Sequence, residues 1–229
     1  MRAELLLLHA LPLDGSMWAG QMGLLPGATH APTLYGFGDR IEDWAVRALK
    51  PLGSDRVIVV GCSVGGSCAV EVALAAPERV AALVLIGTKV RHRPDPALRD
   101  RALETIREGG LEAAWNRFWA PLLSPAAAPG TLAAARATTL RQSPNDIACG
   151  VQVFHSRPDR RGFLAGFTRP VVVVTGADDP APGPQRSAAQ AGEAGSGRLE
   201  IVPDCGHYVP LERPGRLNAI LAEVIAAVR

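Results

Sequence analysis

A single serine lies in a glycine-rich corner between two apolar segments, in the stretch VIVVGCSVGGSCAVEVAL that begins at Val57. Four apolar residues precede Gly61-Cys62-Ser63-Val64-Gly65, and an alanine- and valine-rich stretch follows. A strand that turns sharply into a helix needs small residues beside the turn, because the backbone there is strained. The pattern therefore predicts a strand, a tight corner that exposes Ser63, and a helix. A phosphate-binding loop is disfavoured, because no Lys-Ser or Lys-Thr pair follows the glycines.

Apolar runs recur along the chain and alternate with helical patterns. Continuous hydrophobicity, rather than alternation with polar residues, is typical of strands that are covered on both faces of a sheet. Five such runs and a weaker sixth at Ala31–Leu34 predict strands; the five are Ala3–Leu8, Arg56–Val60, Val80–Ile86, Val171–Thr175 and Arg198–Val202. The alternation with helices predicts an α/β fold with a mostly parallel sheet of about six strands. The helices expected around this sheet are Ile41–Leu49, Ser67–Ala76, Pro184–Ala194 and Gly215–Val228.

The alternation of strands and helices breaks between Lys89 and Thr168, where no strand pattern occurs. We therefore predict a core domain formed by residues 1–88 and 168–229, and a helical insertion formed by residues 89–167. The helical patterns in the insertion lie at Pro96–Glu108, Leu111–Trp119, Gly130–Arg141 and Ser143–Ser156.

Charge, cysteine spacing and hydropathy argue against several classes of protein. The formal net charge is only +2 and the arginines are spread along the chain, so nucleic-acid binding is not expected. The four cysteines show no ligand spacing for a metal. No apolar run approaches the ~20 residues needed to span a bilayer, and the start, MRAELLLLHALPLD, is interpreted as a buried strand rather than a signal peptide. We expect a soluble, cytoplasmic protein.

A serine hydroxyl becomes a nucleophile only when a base accepts its proton and an acid orients that base. His207 follows the last predicted strand, and Asp178 and Asp179 follow the strand Val171–Thr175. The ends of parallel strands meet at one edge of the sheet, so these side chains are expected near Ser63. The order Ser, Asp, His along the chain agrees with such a site. One of the two acids could instead cap a turn.

The segments GCSVGG, PERVAALVLIGT and CGHYVPLERP together resemble the α/β-hydrolase family, and the resemblance covers nearly the whole chain. In that family the acid is the fourth residue of a G-x-x-D segment. The segment Gly176-Ala177-Asp178-Asp179 therefore implies that Asp179 orients His207. The other place where members carry the acid reads Gly87-Thr88-Lys89 here, without a carboxylate.

The resemblance also implies an oxyanion hole made of two backbone N–H groups, those of Val64 and Leu11. The family loop reads His-Gly-x-Pro, whereas this chain has His9-Ala10-Leu11-Pro12, which is a departure because alanine resists a positive φ. His9 is then expected to be structural rather than a base. Since few residues precede Leu5, the strand pair that usually opens the family sheet is expected to be missing.

In this family the insertion forms a cap over the site. One predicted helical stripe consists of Leu111, Ala114, Trp115, Phe118 and Trp119, and core packing is its usual explanation. The resemblance implies that at least one of Trp115, Phe118 and Trp119 lines the substrate pocket. Four arginines of the insertion are candidates for binding a substrate carboxylate, although surface solvation is the expected role of most: Arg141, Arg157, Arg160 and Arg161.

The chain is most similar to the branch of 3-oxoadipate enol-lactonases and carboxylesterases. This implies a serine hydrolase that cleaves a small-molecule ester or lactone through an acyl-enzyme, without a cofactor or metal. A thioester hydrolase, a C–C bond hydrolase, a cofactor-free haloperoxidase-like enzyme and a non-catalytic small-ligand receptor remain alternatives on the same fold. Neither nucleic acid nor a membrane is an expected partner, and the oligomeric state stays open.

Overall fold

The structure, a computed structural model, describes residues 3–228. Met1, Arg2 and Arg229, which belong to the predicted core domain, lie outside the described residues. Within them, six strands form one open sheet: β1 (Glu4–Leu8), β2 (Thr29–His30), β3 (Val57–Cys62), β4 (Val80–Ile86), β5 (Val171–Gly176) and β6 (Gly197–Val202). All neighbours are parallel, in the order β2-β1-β3-β4-β5-β6. The predicted parallel sheet of about six strands is confirmed.

The burial of each strand follows its composition. Every residue of β3 and β5 is buried, because these strands are apolar and lie in the interior of the sheet with covered faces. The edge strand β6 carries Arg198 and Glu200 and is buried only at Val202. The buried central strands hold the ends of β3, β4 and β5 in fixed register, and the candidate site lies at these ends.

The predicted sixth strand at Ala31–Leu34 is wrong, and β2 lies two residues earlier. Pro32 has no N–H to donate to a sheet ladder. The amide N–H of Leu34 donates instead to Nε2 of His9, at 2.8 Å. The residues after β2 therefore leave the sheet and pack against the loop that follows β1.

Helices cover the sheet and fill the insertion: α1 (Ile41–Leu49), α2 (Val64–Ala75), α3 (Pro96–Ala114), α4 (Pro129–Leu140), α5 (Pro144–Ser156), α6 (Phe163–Gly166), α7 (Pro184–Glu193), α8 (Val209–Glu212) and α9 (Pro214–Ala227). Short 3₁₀ turns occur at Gly15–Trp18 and Ala120–Leu122, and a π-helical turn at Trp115–Trp119. In residues 3–228 no helix is long and apolar enough to cross a bilayer.

Between β4 and β5 the described chain consists of helices and turns. Gly110 has a positive φ of 69° and kinks α3, which agrees with the predicted break between two helical patterns there. Arg160 joins the segment to α2, because its guanidinium donates to both carboxylate oxygens of the buried Glu71, at 2.8 and 2.9 Å. The division into a core domain and a cap domain stays a prediction.

Candidate active site

Ser63 stands at the corner between β3 and α2. Its backbone has φ 55° and ψ −119°, which a non-glycine residue adopts only under strain. Its N–H donates to the carbonyl oxygen of Ile86 at 2.8 Å, and its carbonyl oxygen accepts from Gly66 at 3.0 Å. These bonds hold the strained residue between neighbouring strand ends.

The glycines of the corner are required by close backbone contacts. A Cβ on Gly61 would lie 2.2 Å from the carbonyl oxygen of Gly65, and a Cβ on Gly65 would lie 2.2 Å from that of Leu8. Both separations are far below van der Waals contact. The helix therefore starts close against the strand ends, which accounts for the small residues on both sides of Ser63.

His207 and Asp179 form a buried pair at the ends of β6 and β5. His207 Nδ1 lies 3.1 Å from each carboxylate oxygen of Asp179. An ionised carboxylate only accepts, so in a neutral imidazole this contact places the proton on Nδ1 and leaves the lone pair on Nε2. Asp179 also accepts from the N–H of Ala181 at 2.8 Å. The pair can therefore offer one unprotonated, oriented imidazole nitrogen.

Gly87, at the end of β4, packs directly against this pair. A Cβ there would lie 2.8 Å from His207 Nδ1 and 3.2 Å from Oδ2 of Asp179, and its φ is +55°. The sequence analysis noted Gly87 only as the start of a segment without a carboxylate. Its contact with the imidazole could not have been read from the chain alone.

The two adjacent acids have different partners. Asp178 is exposed and accepts from the hydroxyl of Ser124 at 2.6 Å, in the loop before α4. Asp179 is buried and bonds His207. Neighbouring residues that leave a strand face opposite sides, so only one of the two carboxylates reaches the imidazole.

A buried carboxylate that the sequence analysis missed holds the His207 loop. Glu212, in α8, accepts from the N–H groups of Gly206 at 3.0 Å, Tyr208 at 3.1 Å and Ser124 at 2.9 Å. It thus fixes the residues on both sides of His207. The available signal in the sequence was a glutamate in an apolar turn. That signal does not show which backbone N–H groups the carboxylate binds.

Ser63 and His207 border one cavity of about 310 Å³. In the part of the chain that the structure describes, no hydrogen bond joins their side chains. Catalytic hydrogen bonds are often long without substrate and shorten when it binds. The cavity wall is largely apolar and comes mainly from the insertion: Leu98, Ala102, Phe118, Trp119, Leu122 and Val151.

The amide N–H groups of Leu11 and Val64 donate to no other group in residues 3–228. Val64 is the first residue of α2, where an N–H has no partner within the helix. Leu11 borders the cavity, and its carbonyl oxygen accepts from the Tyr208 hydroxyl at 3.0 Å. The role of these two amides as an oxyanion hole stays a prediction.

His9 is fully buried and links two loops. Its Nε2 accepts from Leu34, and its Nδ1 lies 3.1 Å from the carbonyl oxygen of Ala10. Burial is the main cause that lowers the pKa of His9 to about 4. His9 is therefore neutral near pH 7, with both ring nitrogens occupied by structural bonds.

The three aromatic residues of the predicted stripe lie in two different surroundings. Phe118 and Trp119 border the cavity, but Trp115 does not; it is buried in the hydrophobic core. The prediction assumed α-helical spacing, whereas these residues form a π-helical turn closed by a bond from Ala120 to Trp115. A π turn takes more residues than an α turn, so side chains four apart diverge. Trp115 therefore lies outside the cavity that Ser63 and His207 border, and the substrate pocket itself stays a prediction.

In residues 3–228 no group of three or more histidine, cysteine, aspartate or glutamate side chains is placed to hold a metal ion. The four cysteines are unpaired thiols. The chemistry that the arrangement offers is that of a hydroxyl, an imidazole and a carboxylate beside free amides.

A sequence profile of the alpha/beta hydrolase family matches residues 5–220. The chain belongs to the alpha/beta hydrolase family. The predicted resemblance is therefore confirmed, and relatives point to its esterase-like branch. A pimeloyl-[acyl-carrier protein] methyl ester esterase of Aromatoleum aromaticum is 29% identical over 98% of this chain and 98% of its own.

Solved structures of this alpha/beta hydrolase family share the fold. A thermophilic esterase from Thermogutta terrifontis, with malate bound, is 26% identical, with a TM-score of 0.88 over 100% of this chain and 90% of its own. The enol-lactonase from Burkholderia xenovorans is 20% identical, with a TM-score of 0.82 over 99% and 92%. The similarity to the enol-lactonase bears on the fold alone.

Proposed function

We propose that this hydrolase is a serine enzyme that cleaves a carboxylic ester or a lactone through an acyl-enzyme. The observation that carries the proposal is the position of Ser63, at a left-handed corner, beside the same cavity as the buried His207–Asp179 pair. The esterase named among its relatives supports the choice of an ester bond.

The proposed reaction begins when Nε2 of His207 takes the proton of Ser63 Oγ and Oγ attacks the carbonyl carbon. The negative charge then develops on the carbonyl oxygen, where the amides of Leu11 and Val64 would donate to it. Asp179 stays ionised and stabilises the imidazolium. His207 returns the proton to the leaving alkoxide, and the alcohol departs.

Deacylation repeats these steps with water as the nucleophile. His207 removes a proton from water, the hydroxide attacks the acyl carbon, and Ser63 leaves with the proton that His207 returns. In this proposal the helical insertion acts as a cap, and Phe118 and Trp119 hold the apolar part of the substrate away from solvent. All groups that the cycle needs belong to this chain.

The test is Ser63→Ala, assayed on 4-nitrophenyl acetate with a fluorophosphonate label as a second readout. We expect turnover to fall by about 10⁴–10⁶-fold and the label to be lost, because the nucleophile is removed. Ser67→Ala is the matched control. Ser67 lies one helical turn on, and its buried hydroxyl has no hydrogen-bond partner in the described residues. It should keep turnover and labelling.

A folded Ser63→Ala protein with near wild-type turnover would rule out the mechanism. Saturable binding of esters by the wild-type protein without any product would favour the receptor alternative. A product-resolved comparison of esters, lactones and thioesters separates the remaining hydrolase alternatives.

A further inference from the structure

The four candidate arginines of the insertion differ in burial and in partners. Arg160 is tied to Glu71 as described above, and Arg161 donates to Asp159 at 2.6 Å. Arg141 is exposed. Each of these has an acidic partner or open solvent, so none requires a ligand.

Arg157 is the exception, since it is only 6% exposed and pairs with no carboxylate in the described part of the chain. Its Nη1 donates to the carbonyl oxygen of Phe154, and the guanidinium stacks 3.9 Å from the centre of the Phe154 ring. Its Nε is buried without any hydrogen-bond partner. Burial lowers the pKa of Arg157 to about 10, so it is still a cation near pH 7. A buried, unpaired charge is costly.

Arg157 lies where the site cavity meets a second cavity of about 480 Å³, because the same residue borders both. Lys89 also borders both cavities and is half-buried. Burial is the main cause that lowers the pKa of Lys89; the charges of Arg186 and Arg157 lower it further, and that of Asp179 opposes them. Two cations thus stand at the junction, and neither forms an ion pair with a carboxylate in residues 3–228.

The wall of the site cavity has the same charge character. Among the described residues it carries Lys89, Arg117 and Arg157 but no aspartate or glutamate. The wall of the second cavity carries two acids, Asp95 and Glu193, and also Arg91, Arg93 and Arg186. An anion at the junction would therefore meet mainly positive charge.

We infer that Arg157 and Lys89 form an anion subsite, and that the substrate is an ester that carries a carboxylate. The inference rests on the proposed function and narrows its substrate class. Nη2 of Arg157, which has no acceptor in the described residues, can donate a charge-assisted hydrogen bond to a carboxylate, and the Lys89 ammonium adds a point charge. The apolar residues of the site cavity, which Ser63 also borders, would accommodate the carbon chain that joins the carboxylate to the ester.

The kinetic test compares esters that differ in one carboxylate. Mono-4-nitrophenyl glutarate and 4-nitrophenyl pentanoate carry the difference on the acyl side; 4-acetoxybutanoate and butyl acetate carry it on the alcohol side. We expect the wild-type protein to prefer the anionic member of at least one pair. Arg157→Met and Lys89→Met should each lower that ratio of kcat/KM by about 10–100-fold, the range for a hydrogen bond to a charged group. Arg141→Met is the matched control and should leave the ratio unchanged.

Replacement of the buried Arg157 risks misfolding, so Arg157→Lys and Lys89→Met serve as independent tests. Arg157→Lys keeps the charge but loses the planar guanidinium, and it should lower the ratio less than Arg157→Met. Lys89 is half-exposed, and its replacement does not empty the core. Equal ratios in the wild-type, Lys89→Met and folded Arg157 variants would overturn the inference, as would a preference for the neutral ester in both pairs.

A binding experiment separates failure of the subsite from failure of the proposed reaction. Calorimetry on Ser63→Ala compares monomethyl glutarate with methyl pentanoate, and the anionic ester should bind at least about 10-fold more tightly. Lys89→Met in the same background should remove the difference. If Ser63→Ala shows this preference but the wild-type protein turns over no ester, the proposed reaction is refuted and the subsite is supported. If the wild-type protein turns over esters but Ser63→Ala shows no preference, the subsite is refuted and the proposed reaction is supported. Binding of inorganic phosphate with no ester preference would assign the cations to a free anion and overturn the inference.

Discussion

The strand ends and the helical insertion each contain a backbone position with a positive φ, but the two positions have different surroundings. Gly87, at the end of β4, and Gly110, in α3, both have positive φ values, 55° and 69°. A side chain on Gly87 would collide with His207, whereas no atom lies within 4 Å of the position that a Cβ on Gly110 would occupy. Glycine is required at the strand ends by contact with the candidate site, and in the insertion only by conformation.

Charges show the same contrast. At the strand ends, the buried carboxylates of Asp179 and Glu212 are satisfied by groups of the chain itself. In the insertion, the buried guanidinium of Arg157 keeps an unbonded Nε. The two carboxylates at the strand ends are satisfied before substrate arrives. The buried guanidinium has no carboxylate partner until, in our proposal, a substrate supplies one.

The largest expected effect separates the two adjacent acids. Asp179→Asn should lower kcat by about 10⁴-fold, because an amide cannot hold His207 in the required tautomer. Its melting temperature should change little by comparison. Asp178→Asn is the matched control: it bonds Ser124 of the insertion, so it should keep most turnover and lose up to about 1 kcal/mol of stability. Steady-state kinetics measures the turnover of each variant, and thermal unfolding measures its stability. Reversed kinetic losses would make Asp178 the orienting acid.

An intermediate effect tests the two glycines. Gly87→Ala should lower kcat by about 100-fold, because the new methyl group displaces the imidazole by a fraction of an ångström to an ångström. Gly110→Ala also introduces backbone strain, about 1–3 kcal/mol, because φ 69° with ψ −172° is a conformation that almost only glycine adopts, but the new methyl group meets no other side chain. It should lose stability and retain kcat. Equal kinetic losses would show that strain, and not contact with His207, determines the requirement for glycine.

The smallest effect concerns acid stability. The pKa of His9 is lowered from 6.5 to about 4, so the unfolded state binds more protons in this interval. The stability due to neutral His9 is complete above pH 6.5 and is lost as the pH falls through the interval. We expect protonation of His9 to lower the free energy of unfolding by about 2–3 kcal/mol between pH 7 and pH 4.5. Urea unfolding should show a weaker pH dependence in His9→Gln than in the wild-type protein.

His155, in the insertion, is the control for His9. Burial is likewise the main cause that lowers the pKa of His155 to about 4. Because His155 is only half-buried, solvent screens its charge and the same titration should cost less. His155→Gln should therefore flatten the pH dependence less than His9→Gln. The opposite order would mean that acid unfolding begins in the insertion.

Much of the fold could be predicted because its signals are local. A continuous apolar run such as Val171–Thr175 is enough to predict a buried strand, and a glycine on each side of Ser63 is enough to predict a tight corner. The prediction failed where distant groups decide: the strand at Ala31–Leu34 was lost because the amide of Leu34 bonds His9. In the candidate site, the residues predicted from motifs lie at the strand ends. The role of Gly87 depends on its contact with His207, and that of Glu212 on the folded shape of the His207 loop and on a bond to Ser124, 88 residues away.

The sequence by itself determined the order of strands and helices and the corner that exposes Ser63, because hydrophobic spacing and glycine placement act over a few residues. Tertiary structure decided which acid meets His207, which aromatic side chains border the cavity and which arginine stays unpaired. Arg157 and Arg160 are three residues apart and chemically identical, yet only Arg160 lies opposite Glu71. Whether a side chain is buried, and which groups it bonds, depends on residues elsewhere in the chain. No local sequence pattern encodes these contacts.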